Sequence, residues 1–173
     1  EYFSGIPRRV VFPHATPGAG KTYFRQLYLD PTQYRVFSYD DLRFSFHMYA
    51  EGGDDFADWS DLELKNGLNG IWESLLPKIW EQSYGIYFDA NLTFEEIHSW
   101  HQIIARCWGT AGWQPVILTF SAERGKYQNQ YRNRQVRAEI IEIFDDRWEK
   151  MNETLKTTDL TAYNPPIKWI QLV

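Results

Sequence analysis

"RRVVFPHATPGAGKT", residues 8–22, joins a β-branched apolar run to a glycine-bearing turn and then to a lysine and a threonine. Residues 8–12 read as a buried strand, Pro17-Gly18-Ala19-Gly20 as a turn, and residues 21–28 as a short helix. A strand that passes through such a turn into a helix is the setting of a phosphate loop. The spacing fits that pattern with alanine in its first place: Ala15, four residues, Gly20, Lys21, Thr22. Each part has a chemical reason. Pro17, Gly18, Ala19 and Gly20 form a turn in which the glycines let backbone N–H groups point inward around anionic oxygens. The new helix aims its partial positive end at the same place. Lys21 supplies a full charge for the β- and γ-phosphates, and the Thr22 hydroxyl suits a magnesium ion.

Outward from this stretch, strands alternate with helices. "QYRVFSYDDLR" gives a second strand ending near Ser38, and "GIYFDAN" a third closed by Asp89. "QPVILTFSA" and "IKWIQLV" supply a fourth and fifth. From Asp61, the apolar positions Leu64, Leu68, Ile71, Leu75 and Ile79 recur at helical spacing, with Pro77 expected to kink or divide the helix. Thr93 and Glu96 form a capping box for a helix whose buried stripe is Ile97, Trp100, Ile104 and Trp108, ended by Gly109 and Gly112. A later helix carries Ile140, Phe144, Trp148 and Met151 on one face. The alternation predicts a single α/β domain over 1–173, with a five-stranded parallel sheet flanked by helices. Ligands of such sheets bind beyond the carboxyl ends of the strands.

The totals restrict the function. Apolar residues at 43% and charged residues at 24% are ordinary for a globular chain. A net charge of -5 argues against non-specific coating of nucleic acid, while leaving room for a small basic site at a strand end. The lone Cys107 cannot form an internal disulfide, so a reducing, cytoplasmic setting is expected. No apolar run suggests a membrane span.

A phosphate loop indicates nucleotide but not reaction. The second strand is more specific, because it closes in "SYDDLR". Asp40 there would orient an acceptor hydroxyl and take its proton, and Arg43 would grip an acceptor phosphate. The plainer alternative is a helix-capping Asp40 or Asp41 beside a surface arginine.

Taken together, "TPGAGKT", "SYDDLR" and "GIYFDANLTFEE" resemble the polynucleotide kinase family of P-loop phosphotransferases, the phage 5′-kinases in particular. The resemblance implies a P-loop kinase fold with a helical lid, with ATP (or another nucleoside triphosphate) and Mg²⁺ as cofactors. Lys21 and Thr22 would bind triphosphate and metal, and Asp40 would be the general base. Arg43 would contact the acceptor strand; Asp89 would order the site, with Asn91 beside it. The lid departs from the family pattern. In "YRNRQVRAEII", Arg132 and Asn133 fit, but Val136 stands where an arginine is usual, so Arg134 or Arg137 would serve as the catalytic lid cation. Arg124, Lys126, Arg132, Arg134 and Arg137 form a basic island suited to a polyanion.

The expected activity is transfer of a γ-phosphoryl group to a nucleic-acid hydroxyl, with a 5′-hydroxyl end as the acceptor. In a phage this would take place in the host cytoplasm. Alternatives are a kinase of hydroxymethyluracil in DNA, a nucleotide or small-molecule kinase, and a nucleotide-binding switch without turnover. His98 and His101 lack the further ligands that a metal site requires. His14 either meets nucleotide or packs, and Cys107 is expected in the core.

Overall fold

The computed structural model describes residues 8–15, 21–39, 62–120 and 138–172. Within them lie five strands, β1 (Arg9–His14), β2 (Tyr34–Ser38), β3 (Gly85–Asp89), β4 (Gln114–Phe120) and β5 (Lys168–Leu172). Four α-helices accompany them: α1 (Lys21–Tyr28), α2 (Leu62–Glu81), α3 (Phe94–Trp108) and α4 (Ala138–Thr157). All strand pairs are parallel, in the order β2-β3-β1-β4-β5.

Both faces of the sheet are covered at its centre, which is why β1, β3 and β4 are buried without strict alternation. Val11, Tyr34, Tyr87, Val116, Leu118 and Phe120 pack with Phe24 of α1 on one face. On the other face Val10, Phe12, Phe37, Ile86, Phe88 and Ile117 meet α2, α3 and the Met151–Leu155 turn of α4. Passage from β1 to β2 runs one way with α1 on its face. The other three passages run the opposite way with their helices on the opposite face. All four crossovers therefore share one hand, as twisted strands require. The direction of travel reverses at β1, and in open parallel sheets the crevice beyond the carboxyl ends at such a reversal is where ligands generally bind.

β1 runs on to His14 rather than stopping at Phe12, and it includes Pro13. Its six residues all pair with β4, from Arg9↔Gln114 to His14↔Thr119. Pairing with β3 covers only Val10↔Ile86 and Val11↔Tyr87. A proline has no N–H to give to a ladder, and the β3 side of β1 is where the pairing ends early.

The predicted stripe of α2 is corrected by one position. Leu68, Trp72, Leu76 and Ile79 are buried, whereas Ile71 and Leu75 are exposed. Both sets have helical spacing, but the buried one contains the indole of Trp72. That ring stacks on Phe37 at 4.9 Å and 2° and meets Phe88 and Trp100. The larger aromatic area decides which face turns inward. Pro77 lies within α2 and does not divide it. In α3 the capping box forms, with Glu96 N–H donating to Thr93 Oγ1 and Thr93 N–H to Glu96 Oε1. Its stripe is as expected, with His101 added. Cys107 is exposed, a correction: it lies at the margin of that stripe and outside its buried residues. In α4, Met151 and Leu155 are buried and Trp148 is half-buried. The side chains of Ile140 and Phe144 lie outside the described residues. No helix among the described residues is long and apolar enough to cross a membrane.

Candidate phosphate site

The carboxyl end of β1 leads through His14 and Ala15 toward Lys21, the first residue of α1. Between them, Pro17, Gly18, Ala19 and Gly20 lie outside the described residues. The two flanks of the loop are described, and both are tied to the end of β3. On the α1 side, Lys21 Nζ lies 3.8 Å from Asp89 Oδ1. Arg25 Nη1, one helical turn further on, lies 3.4 Å from Asp89 Oδ2. The Tyr87 hydroxyl donates to the Lys21 carbonyl at 2.8 Å. Burial, reinforced by the Asp89 charge, pushes this phenol far above its usual range, so it remains a donor. Phe24 stacks parallel to the Tyr87 ring at 6.5 Å. Lys21, Phe24 and Arg25 are thus spaced to meet one strand from one side of a helix.

On the β1 side there are two further ties. Ala15 N–H donates to Asn91 Oδ1 at 3.1 Å. His14 Nδ1 is 3.0 Å from the Leu92 carbonyl, which can only accept, so Nδ1 carries the proton. His14 packs rather than facing solvent, at 3% exposed. Its pKa falls to about 4, first through burial and then through the charges of Lys21 and Arg147. The Leu92 and Arg147 backbones oppose the fall.

β2 ends level with β3, since Ser38 pairs with Asp89. Tyr39 follows, its hydroxyl bonded to Asn69 Oδ1 and its ring 4.5 Å from Trp72. At β4, Trp148 Nε1 of α4 donates to the Phe120 carbonyl at 2.6 Å. The carboxyl ends of four strands are therefore each anchored to a helix or a neighbouring turn.

Among the residues expected in the site, Lys21, Asp89 and Asn91 come together around the loop's flanks. Thr22 takes its place in the first turn of α1. Asp40, Arg43, Arg132, Arg134 and Arg137 lie outside the described residues, as do Arg124 and Lys126. Asp40 is next in sequence after Tyr39. Arg25 and Tyr87 were missed by sequence reasoning. A basic residue one turn after Lys21 was a usable signal for the first; nothing local pointed to the Tyr87 hydroxyl. His98 and His101 serve the fold. His98 Nδ1 meets the Tyr163 hydroxyl at 2.8 Å, and His101 Nε2–H donates to the Pro165 carbonyl at 2.9 Å. No group of three or more His, Cys, Asp or Glu side chains suited to a metal occurs among the described residues.

Two cations beside a single carboxylate, at the start of a helix, can exchange part of their pairing for an anionic ligand. No protein-family model matches this chain, and no curated protein matches it by sequence.

Proposed function

We propose that this chain is a magnesium-dependent P-loop phosphotransferase that moves the γ-phosphoryl group of ATP to a hydroxyl of a nucleic acid, with a strand's 5′-hydroxyl end as the acceptor. One observation carries the reading. Lys21, at the start of the helix after β1, faces Asp89 at 3.8 Å across the end of the neighbouring strand. That is the charge arrangement a triphosphate site needs. The motifs "TPGAGKT", "SYDDLR" and "DANL" support the same reading.

In this reading Lys21 and the N–H groups of residues 18–20 hold the β- and γ-phosphates. Thr22 and Asp89 are the residues suited to magnesium, whose contribution when bound is neutralisation of the phosphate charge. Asp40 accepts the proton of the acceptor hydroxyl as that oxygen bonds to the γ-phosphorus and the bond to the β-phosphate oxygen breaks, releasing ADP. Arg43 grips a phosphate of the acceptor strand. Arg132 reaches the nucleotide, and Arg134 or Arg137 offsets charge on the moving group.

The test offers γ-labelled ATP and magnesium with three acceptors in turn: a 5′-hydroxyl oligonucleotide, duplex DNA containing hydroxymethyluracil, and free nucleosides with nucleotides. Label on the oligonucleotide end is the expected result. Label on the modified base or on small acceptors reassigns the acceptor. ATP binding without label on any of them leaves a nucleotide-dependent switch. Lys21→Ala and Asp40→Asn should each lower transfer by at least about a hundredfold with the fold intact by circular dichroism. Full transfer by Asp40→Asn removes Asp40 from the chemistry.

A further inference from the structure

The Asp89 carboxylate is shared. Its Oδ1 faces Lys21 and its Oδ2 faces Arg25, and its side chain is only 9% exposed, against 21% and 22% for the two cations. A carboxylate this covered is costly to leave without positive charge. A phosphate ligand arriving at the loop competes with Asp89 for Lys21. When the ammonium turns to the phosphate, Asp89 loses part of its compensation, and the loss counts against binding.

We propose that Arg25 is a positioning residue of the phosphate site, holding Asp89 in place while Lys21 passes from that carboxylate to an incoming phosphate. The proposal rests on the phosphate-site reading above. The geometry suits it in three respects. Arg25 lies one turn from Lys21 on α1, so both reach the same carboxylate from one helix face. It takes the other oxygen, so Lys21 can leave without disturbing that pair. Tyr87 fixes the helix at the Lys21 carbonyl, so the exchange needs movement of the lysine side chain alone.

The proposal differs from simple attraction between Arg25 and the ligand in what happens when Asp89 is neutralised. If Arg25 acts through Asp89, its removal matters only while Asp89 is charged. If it attracts phosphate directly, its removal matters equally with or without that charge.

The test measures ATP binding calorimetrically in EDTA, so that neither metal nor turnover enters. Wild type, Lys21→Ala, Arg25→Met, Arg25→Lys, Asp89→Asn and the double variant Arg25→Met/Asp89→Asn are compared, each checked for folding by thermal unfolding. Arg25→Met should weaken ATP about tenfold, and Arg25→Lys should recover most of the loss. Asp89→Asn should bind ATP more tightly than wild type, and adding Arg25→Met to it should change nothing further. An equal loss from Arg25→Met on both backgrounds, or no loss on either, overturns the proposal while the phosphate site stands. Absence of ATP binding by wild type both in EDTA and with magnesium restored, or binding unaffected by Lys21→Ala, overturns the phosphate-site reading and this proposal with it.

Discussion

A histidine buried at the end of a central strand must stay neutral or open the structure. His14 takes the first course, with its pKa down from 6.5 to about 4. Between those values the unfolded chain binds a proton that the folded chain refuses. Stability is therefore fully present above the unfolded value and falls as the pH drops toward the folded one. From about pH 7 to about pH 5 this single group should remove ~2 kcal/mol. Urea unfolding of wild type and His14→Gln at both values checks it: the variant should lack that part of the slope, and parallel slopes would show that His14 does not carry it. Asn91 is the second informative residue. Its oxygen accepts the Ala15 N–H, so Asn91→Ala leaves a partly buried donor without its acceptor, a loss of about 1 kcal/mol in stability. ATP affinity should fall severalfold with it, since the loop's first residue is then less fixed. Unchanged affinity by calorimetry would relieve Asn91 of that role.

At the level of elements, close approach decides as much as polarity. β3 begins at Gly85, opposite Tyr34 of β2. A Cβ there would stand 2.5 Å from the Arg9 carbonyl oxygen and 2.9 Å from Tyr34 Cε1. The ring can swing, but a backbone oxygen in the middle of the sheet cannot. Gly85→Ala should therefore cost about 1–3 kcal/mol as overpacking, seen as a lower Tm with ATP binding intact below it. Elements were legible where their signals were local. The Thr93–Glu96 capping box and the Gly109 end of α3 are written within a few residues of the turns they shape. The face of α2 was not, because Leu75 and Leu76 are equally apolar and only the aromatic partners on the sheet distinguish them. Those partners, Phe37 and Phe88, come from other parts of the chain.

For the whole molecule, the alternation of strands and helices was enough to predict a parallel sheet with helices on both faces, but not its order. β3 inserts between β2 and β1, and no periodicity in a strand records which neighbour it will take. The site divides in the same way. Lys21 was legible from its spacing to Gly20, whereas the pairing of Arg25 with Asp89 joins α1 to a strand distant in sequence. Asp89 stood out as the end of an apolar run; its ion pairs with Lys21 and Arg25 did not.

The uneven pairing of β1 has a consequence for motion. On one side it is zipped to β4 along its full length; on the other it is joined to β3 only through Val10 and Val11. Deuterium should accordingly enter the amides of the β1–β4 seam last, only when the whole domain unfolds, and reach those of Phe88 and Asp89 sooner, through smaller openings. Mass-spectrometric exchange on peptides from β3 and β4 would read the difference. Uptake at one common rate would mean that the sheet breathes as a single plate, with no weaker joint beside its central strand.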